Sequence, residues 1–273
     1  MTPVSFIVLP VALLAMVASP PQESPQDATS VQPTLEWTPR SDWHNVQTGC
    51  NGTDAAKGDG KADDTAAIQA CINNMDNGNT LYLPPGTYRI SKTLLIGCKN
   101  ISYVDPETKK MEAKIEGCVI GGNIKGHGAA TRVVWAGALN ETMILDSGVT
   151  GFRSMGVHWD GAGIAGVGFA HQSIHLFETE NVHEVEAFSN FNIAGIGNDL
   201  APLASGVQGA TAEMFYRNCL FDGNAVGIAW VGFNALDNAI DGCLFRNNMF
   251  GINSIHGTAY VSNSRFGEFS AII

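Results

Sequence analysis

A chain of 273 residues with a formal charge of −11, 31 glycines and only 15% charged side chains can bury a sizeable core but is poor material for a charged helical bundle. Its acidity excludes nucleic acid as a natural partner, and disfavours a bare acidic polysaccharide unless a basic groove or a bridging cation intervenes. Abundant glycine and low charge point instead to short strands joined by many turns.

The chain opens on an uncharged apolar stretch, Phe6 to Ala18, too short to span a bilayer. Residues 1–19 therefore read as a secretory signal peptide, although the usual basic n-region is missing. This implies a secreted or cell-surface protein with no membrane span in the mature chain. Residues 20–36, rich in Pro, Gln, Ser and Thr, read as a flexible linker, and the folded domain is expected over 37–273. Asn51, Asn100 and Asn140 open glycosylation-type sequons, which matter only in a eukaryotic host.

Asp63, Asp64 and Thr65 precede a segment in which Ile68, Cys71, Ile72 and Met75 share one face at helical spacing. The paired carboxylates have a catalytic reading, but an acid that accepts the free N–H groups of a first helical turn explains both position and chemistry. Asn77-Gly78 stops the helix, Leu81–Leu83 alternates as a strand, Pro84-Pro85-Gly86 turns the chain, and Thr87–Ile90 supplies another strand.

The run from Lys57 through Gln69, followed by Leu81 through Tyr88, resembles the opening of the pectate-lyase-superfamily domain. That domain is shared by polygalacturonase-like and rhamnogalacturonase-like enzymes, some glucanases and phage tailspikes. The resemblance implies an all-β fold, a right-handed single-stranded parallel β-helix with an N-terminal capping α-helix, and makes Asp63 and Asp64 capping residues. It implies a polysaccharide substrate, and the tailspike relatives suggest a homotrimer. Just upstream, Asp54-Ala55-Ala56 departs from the family's Phe-Gly-Ala. Ile124–Gly128 and Thr131–Trp135 resemble the family's second block. Gly126-His127-Gly128 also matches a polygalacturonase active-site tripeptide, but it lies too early in the chain, so a turn is the preferred reading over a catalytic His127.

Arg217 through Ile228 repeats as Asp241 through Ile252 at an offset of 24, with a third copy starting at Ser264. A looser copy runs from Phe188 to Ile196, and Met155–Gly161 opens another coil. Stacking one period apart puts Cys219 over Cys243 and Phe221 over Phe245 as inward ladders, and Asn224 over Asn248 as a turn ladder. Gly227 and Gly251 mark a recurring bend. It also sets Arg217 over Asp241 and Asp222 over Arg246, pairs read as ion pairs between coils. In-register neighbours on parallel strands are too far apart for a good disulfide, so Cys219 and Cys243 are expected as core thiols. Cys98 and Cys118 bracket an excursion that a bridge would close, and Cys50 and Cys71 are the remaining candidate pair.

A polysaccharide hydrolase or lyase is the leading expectation; the alternative is a non-catalytic glycan-binding or adhesion β-helix, and a structural stalk is a third. The candidate catalytic acids are Asp160 after a strand, Asp199 in a long excursion, and Asp222 if its ion pair is secondary. Trp159 and Trp230 are candidates for stacking on sugar rings. His171, His175 and His183 read as solvated or structural. No cofactor is expected for a hydrolase and no metal site is visible; calcium enters only with a lyase. The chain stops in mid-coil, which reads as a β-helix truncated at its C-terminus.

Overall fold

The computed structural model describes residues 32–50, 52, 54–97, 100–103, 113–116, 121–147, 149, 151–172, 180–198, 212–230, 235–254, 257–267 and 271–272. The expected signal peptide, Cys98, Cys118, His175 and Asp199 lie outside these residues.

Among the described residues the strands build three parallel sheets and one short antiparallel pair, Asn100–Tyr103 with Ala113–Glu116. The first sheet runs His44–Asn45, Thr80–Tyr82, Asn123–Lys125, Arg153–Met155, Val182–Glu184, Phe215–Arg217, Ala235–Asp241, Gly257–Ser262. The second runs Asp59–Asp63, Gly86–Ile90, Thr131–Trp135, His158–Asp160, Ala187–Ser189, Leu220–Asp222, Leu244–Arg246, Arg265–Phe266. The third runs Leu94–Gly97, Thr142–Ser147, Val167–Gln172, Ala194–Asn198, Val226–Trp230, Phe250–Ser254, Ala271–Ile272. From Thr80 onward each coil visits the first, second and third sheets in turn, so sheet neighbours are one coil apart. This is the expected right-handed parallel β-helix, with one short helix.

Alternation along each strand sends one side chain inward and the next outward, and stacking turns the inward ones into ladders. Phe188, Phe221, Phe245 and Phe266 are register partners whose rings stack at 5.4, 4.8 and 4.6 Å. Ile196, Ile228 and Ile252 form a parallel ladder from the third sheet. The expected asparagine ladder is present: buried Asn224 donates to Asn248 Oδ1 at 3.0 Å, while each amide also donates to a backbone carbonyl, Phe188 at 3.0 Å and Phe221 at 2.9 Å. The bend at Gly227 has no room for a side chain, since a Cβ there would meet the Gly251 carbonyl at 2.5 Å and the Phe245 ring at 2.8 Å.

The corner after most first-sheet strands is turned by one residue in the left-handed region: Gly156, Val185, Asn218, Gly242 and Asn263, with φ between 50° and 69°. Gly and Asn suit that backbone. Val185 does not, and its backbone is held there by its N–H bond to the Arg217 carbonyl at 2.9 Å and the Gln32 amide on its own carbonyl at 3.0 Å.

Thr65–Asn73 forms the helix, with Ala67, Ile68, Cys71 and Ile72 buried. Asp63 caps it as expected, accepting the Thr65 N–H at 3.0 Å. Asp64 departs from the expectation: its carboxylate accepts the Lys57 and Gly58 N–H groups at 2.7 and 3.2 Å, tying the preceding loop to the helix start. Cys50 and Cys71 form a disulfide with Cα atoms 5.0 Å apart, pinning the segment before the helix. Cys219 and Cys243 are buried free thiols, as their register requires.

The fold also begins earlier than Trp37. Gln32 donates to the Val157 and Val185 carbonyls at 3.2 and 3.0 Å, and Leu35 N–H to the His127 carbonyl at 3.1 Å. Gln32 and Leu35 of the expected linker thus donate to corner carbonyls, of which Val157 also accepts from Ala187 N–H at 3.0 Å and His127 from Ala130 N–H at 3.3 Å.

Candidate functional site

Of the sequence candidates that can be placed, Trp159, Asp160 and Asp222 fall on the second sheet and Trp230 on the third. Asp160, Ser189, Asp222 and Arg246 are register partners on successive coils. Asp160 is 2% exposed, pairs with Arg132, and accepts from Asn190 Nδ2 at 3.0 Å and Ala162 N–H at 2.8 Å. Burial pushes its carboxyl up, but the hydrogen bonds from Asn190, Arg132 and Ala162 and the Arg132 charge outweigh this and leave it below the usual carboxylate range. Asp222 accepts from Arg246 Nη2 at 2.8 Å, Arg246 Nε at 2.9 Å and Asn247 Nδ2 at 2.8 Å. His158 shares a 2.7 Å hydrogen bond between Nε2 and Ser189 Oγ, and burial lowers its pKa. The two aspartates therefore share a face, yet each already has an arginine partner. A carboxylate committed in this way is a poor general acid.

Trp159 and Trp230 do not line a groove. Trp159 is 1% and Trp230 0% exposed, and Trp159 Nε1 donates to Glu186 Oε1 at 2.8 Å inside the helix. Both occupy inward positions of their strands, so neither ring face is open to a sugar. His127 is likewise structural: Nε2 meets the Tyr82 hydroxyl at 2.7 Å and Nδ1 the Leu35 carbonyl at 2.8 Å.

A second group of ionisable side chains lies on the outward face of the first sheet. Register places Lys125, Met155, Glu184, Arg217, Asp241 and Ser262 in one outward row, with Asn123, Arg153, Val182, Phe215, Ala239 and Tyr260 beside it. Asp241 accepts from Ser262 Oγ at 2.7 Å and Asn263 Nδ2 at 2.8 Å, and these bonds hold it below the usual carboxylate range. Arg217 stands over the Phe215 ring at 5.6 Å. Lys125 Nζ sits 4.4 Å from the Trp37 ring centre and 5.0 Å from that of Trp43, a cation–π sandwich. At this end of the row Arg40, Asp42, Trp43, Asn79, Asn123 and Lys125 line an open pocket of about 330 Å³. The repeat already set Arg217 over Asp241, and the register agrees; Lys125, Glu184 and Ser262 were missed because connections of unequal length separate them from that pair.

The interior holds a third group. Asp146 Oδ2 lies 2.7 Å from His171 Nδ1, His171 Nε2 lies 2.8 Å from His183 Nε2, and His183 Nδ1 lies 2.6 Å from Glu186 Oε2. Asn181 Nδ2 donates to Asp146 Oδ2 at 3.1 Å, and Ser154 Oγ and Trp159 Nε1 donate to Glu186 Oε1 at 2.6 and 2.8 Å. All four ionisable residues are 2% exposed or less. The expected structural reading of His171 and His183 fits, and the solvated one does not. Their spacing concealed the contact because His171 belongs to the third sheet and His183 to the first, and the coil folds them inward onto each other. No described helix is long and apolar enough to cross a membrane.

Comparison with known proteins agrees with this architecture. A protein of Geobacillus virus E2, ORF18, superposes with a TM-score of 0.51 at 17% identity over 85% of this chain and 50% of that one. The catalytic unit of a GH87 alpha-1,3-glucanase from Streptomyces thermodiastaticus gives 0.43 at 17% identity over 86% of this chain and 48% of that one. In sequence, 38 residues are 60% identical to Alginate lyase 7 of Azotobacter vinelandii, 13% of this chain and 4% of that protein. The chain thus spans about half the length of these structural relatives and a small part of the curated one. The profile of the rhamnogalacturonase A/epimerase, pectate lyase-like family matches residues 52–268, nearly the whole described β-helix, and the chain belongs to that family.

Proposed function

We propose that this protein is an extracellular polysaccharide-cleaving enzyme that lays its glycan along the outward face of the first sheet, with Glu184 and Asp241 as the working acids. The observation behind this reading is their position: same row, two coils apart, with Arg217 between them. At the ordinary strand spacing their Cα atoms are about 9.6 Å apart, at the upper limit of the carboxyl separation that inversion uses. Inverting glycoside hydrolysis uses acids roughly 6.5–9.5 Å apart, which leaves room for a water under the sugar. Asp241, held ionised by Ser262 and Asn263, is the base that activates the water; Glu184 donates the proton to the leaving oxygen. The pocket at the Lys125 end receives the glycan, with Trp43 offering an apolar ring face and Lys125 and Arg40 giving local positive charge on an acidic protein. Asp160 and Asp222, by contrast, are spent on arginines.

A lyase is the second reading, favoured by Lys125 and Arg217 on the same row, which suit a uronate carboxylate; calcium belongs to that reading alone. Incubation with a polysaccharide panel separates the two. New reducing ends without unsaturated-uronate absorbance are expected, and Glu184→Gln or Asp241→Asn should lower kcat by at least about 100-fold with an unchanged thermal midpoint. Rising absorbance assigns a lyase instead, and full turnover in both variants overturns the assignment of the row.

A further inference from the structure

The interior chain of Asp146, His171, His183 and Glu186 has no part in the proposed chemistry, yet it sits directly beneath it. His183 points inward from the strand Val182–Glu184, whose next residue, Glu184, is partly exposed on the outward face where the glycan is proposed to lie, here called the groove. Three hydrogen bonds in series, Asp146 to His171, His171 to His183 and His183 to Glu186, join the third sheet to the first.

Each of these three links needs one proton, and the four groups must therefore share three. The two end carboxyls are equally served by outside donors, Glu186 by Ser154 and Trp159 and Asp146 by Asn181 and the Val149 N–H. Burial, which raises the Asp146 carboxyl, decides between them. The third proton then sits at the far end, on Asp146, which donates to His171 Nδ1; His171 Nε2–H donates to His183 Nε2, and His183 Nδ1–H to Glu186. With only two protons the links cannot all be made. An ionised Asp146 faces the bare His171 Nδ1 unless that ring changes tautomer, which exposes the two Nε2 lone pairs to each other at 2.8 Å, and so on down the line.

We propose that these four residues act as one proton-loaded latch that holds the Val182–Glu184 strand in place, and that losing the third proton at alkaline pH releases the strand and switches the groove off. The part concerning the groove rests on the function proposed above; the latch itself does not.

Among the described residues, the rings and side chains packed against the four are these. Phe169 stacks on His171 at 4.7 Å, Phe188 meets His183 edge-on at 5.6 Å, and the Tyr216 ring stacks on His183 at 5.8 Å. Cys219 Sγ donates to the His183 carbonyl, and burial pushes that thiol well above its ordinary range. Asn181 and Val149 contribute neutral donors to Asp146. Burial raises Asp146 from the ordinary 3.8 to about 8, against the Val149 N–H bond, and burial holds His171 neutral. Because the folded value lies above the unfolded one, the stability from the protonated group is complete below about pH 3.8 and is lost as pH rises through about 8.

The test is ring-nitrogen NMR of the intact protein between pH 6 and 10, with thermal melts over the same range. At pH 6 His171 should carry its proton on Nε2 and His183 on Nδ1. Both rings should then change together with one midpoint, and the melting temperature and kcat should fall through that midpoint. Asp146→Asn, whose amide keeps donating to His171, should abolish the step. Two independent midpoints, no ring change across the range, or an undiminished step in Asp146→Asn would overturn the latch. If the rings change together while Glu184→Gln retains full turnover, the latch stands and the proposed use of Glu184 falls.

Discussion

Val185 occupies a left-handed corner, φ 53°, where the equivalent positions hold Gly156, Asn218, Gly242 and Asn263. A β-branched residue there is strained by about 1–2 kcal/mol. Val185→Gly should therefore raise stability by about 1 kcal/mol, since strain relief outweighs the added chain entropy, and urea unfolding at fixed pH reads it; a loss of that size would mean that Val185 packing outweighs its backbone. The asparagine ladder argues the opposite case. Asn248→Ala removes a buried acceptor that serves both the N–H and the amide of Asn224, and should cost about 1–3 kcal/mol in the same experiment. Single residues were legible in the sequence where the repeat was strict: Phe221 over Phe245 and Asn224 over Asn248 follow from the offset of 24 alone. Trp159 and Trp230 misled because an aromatic in a short strand looks the same in sequence whether its position faces in or out.

At the scale of elements, the capping helix was readable from its apolar spacing and its acidic start, and the structure divides those two acids between different tasks. Asp63 serves the helix and Asp64 the loop before it. The Cys50–Cys71 disulfide spans 21 residues of sequence. A loop of that size contributes roughly 3 kcal/mol when its geometry is unstrained. Replacing both cysteines by serine should lower the thermal midpoint and hasten proteolysis ahead of the helix, while the coils beyond Asn123 keep their hydrogen-exchange protection; equal loss of protection throughout would show that the cap and the coils unfold as one unit. The interior relay was not legible at this scale. His171 and His183 lie on different sheets, and only the path of the coil brings their rings together.

At the scale of the molecule, a solenoid turns position along the chain into position along an axis, so any outward row becomes a track. The fold was legible because its signature is repetition, which survives in a single sequence. The track was legible only at Arg217 over Asp241, because connections of unequal length hide the register that brings Lys125 and Glu184 into line with them. The second sheet offers the rival track through His158, Asp160 and Asp222, and its acids are bound by Arg132 and Arg246. The proposed glycan face is tested most directly by mapping NMR shift changes of the intact protein as an oligosaccharide product of the polysaccharide panel is titrated in. Shifts confined to Trp43, Lys125, Glu184, Arg217 and Asp241 are predicted; shifts centred on His158, Ser189 and Asp222, with the first sheet unmoved, would contradict the account.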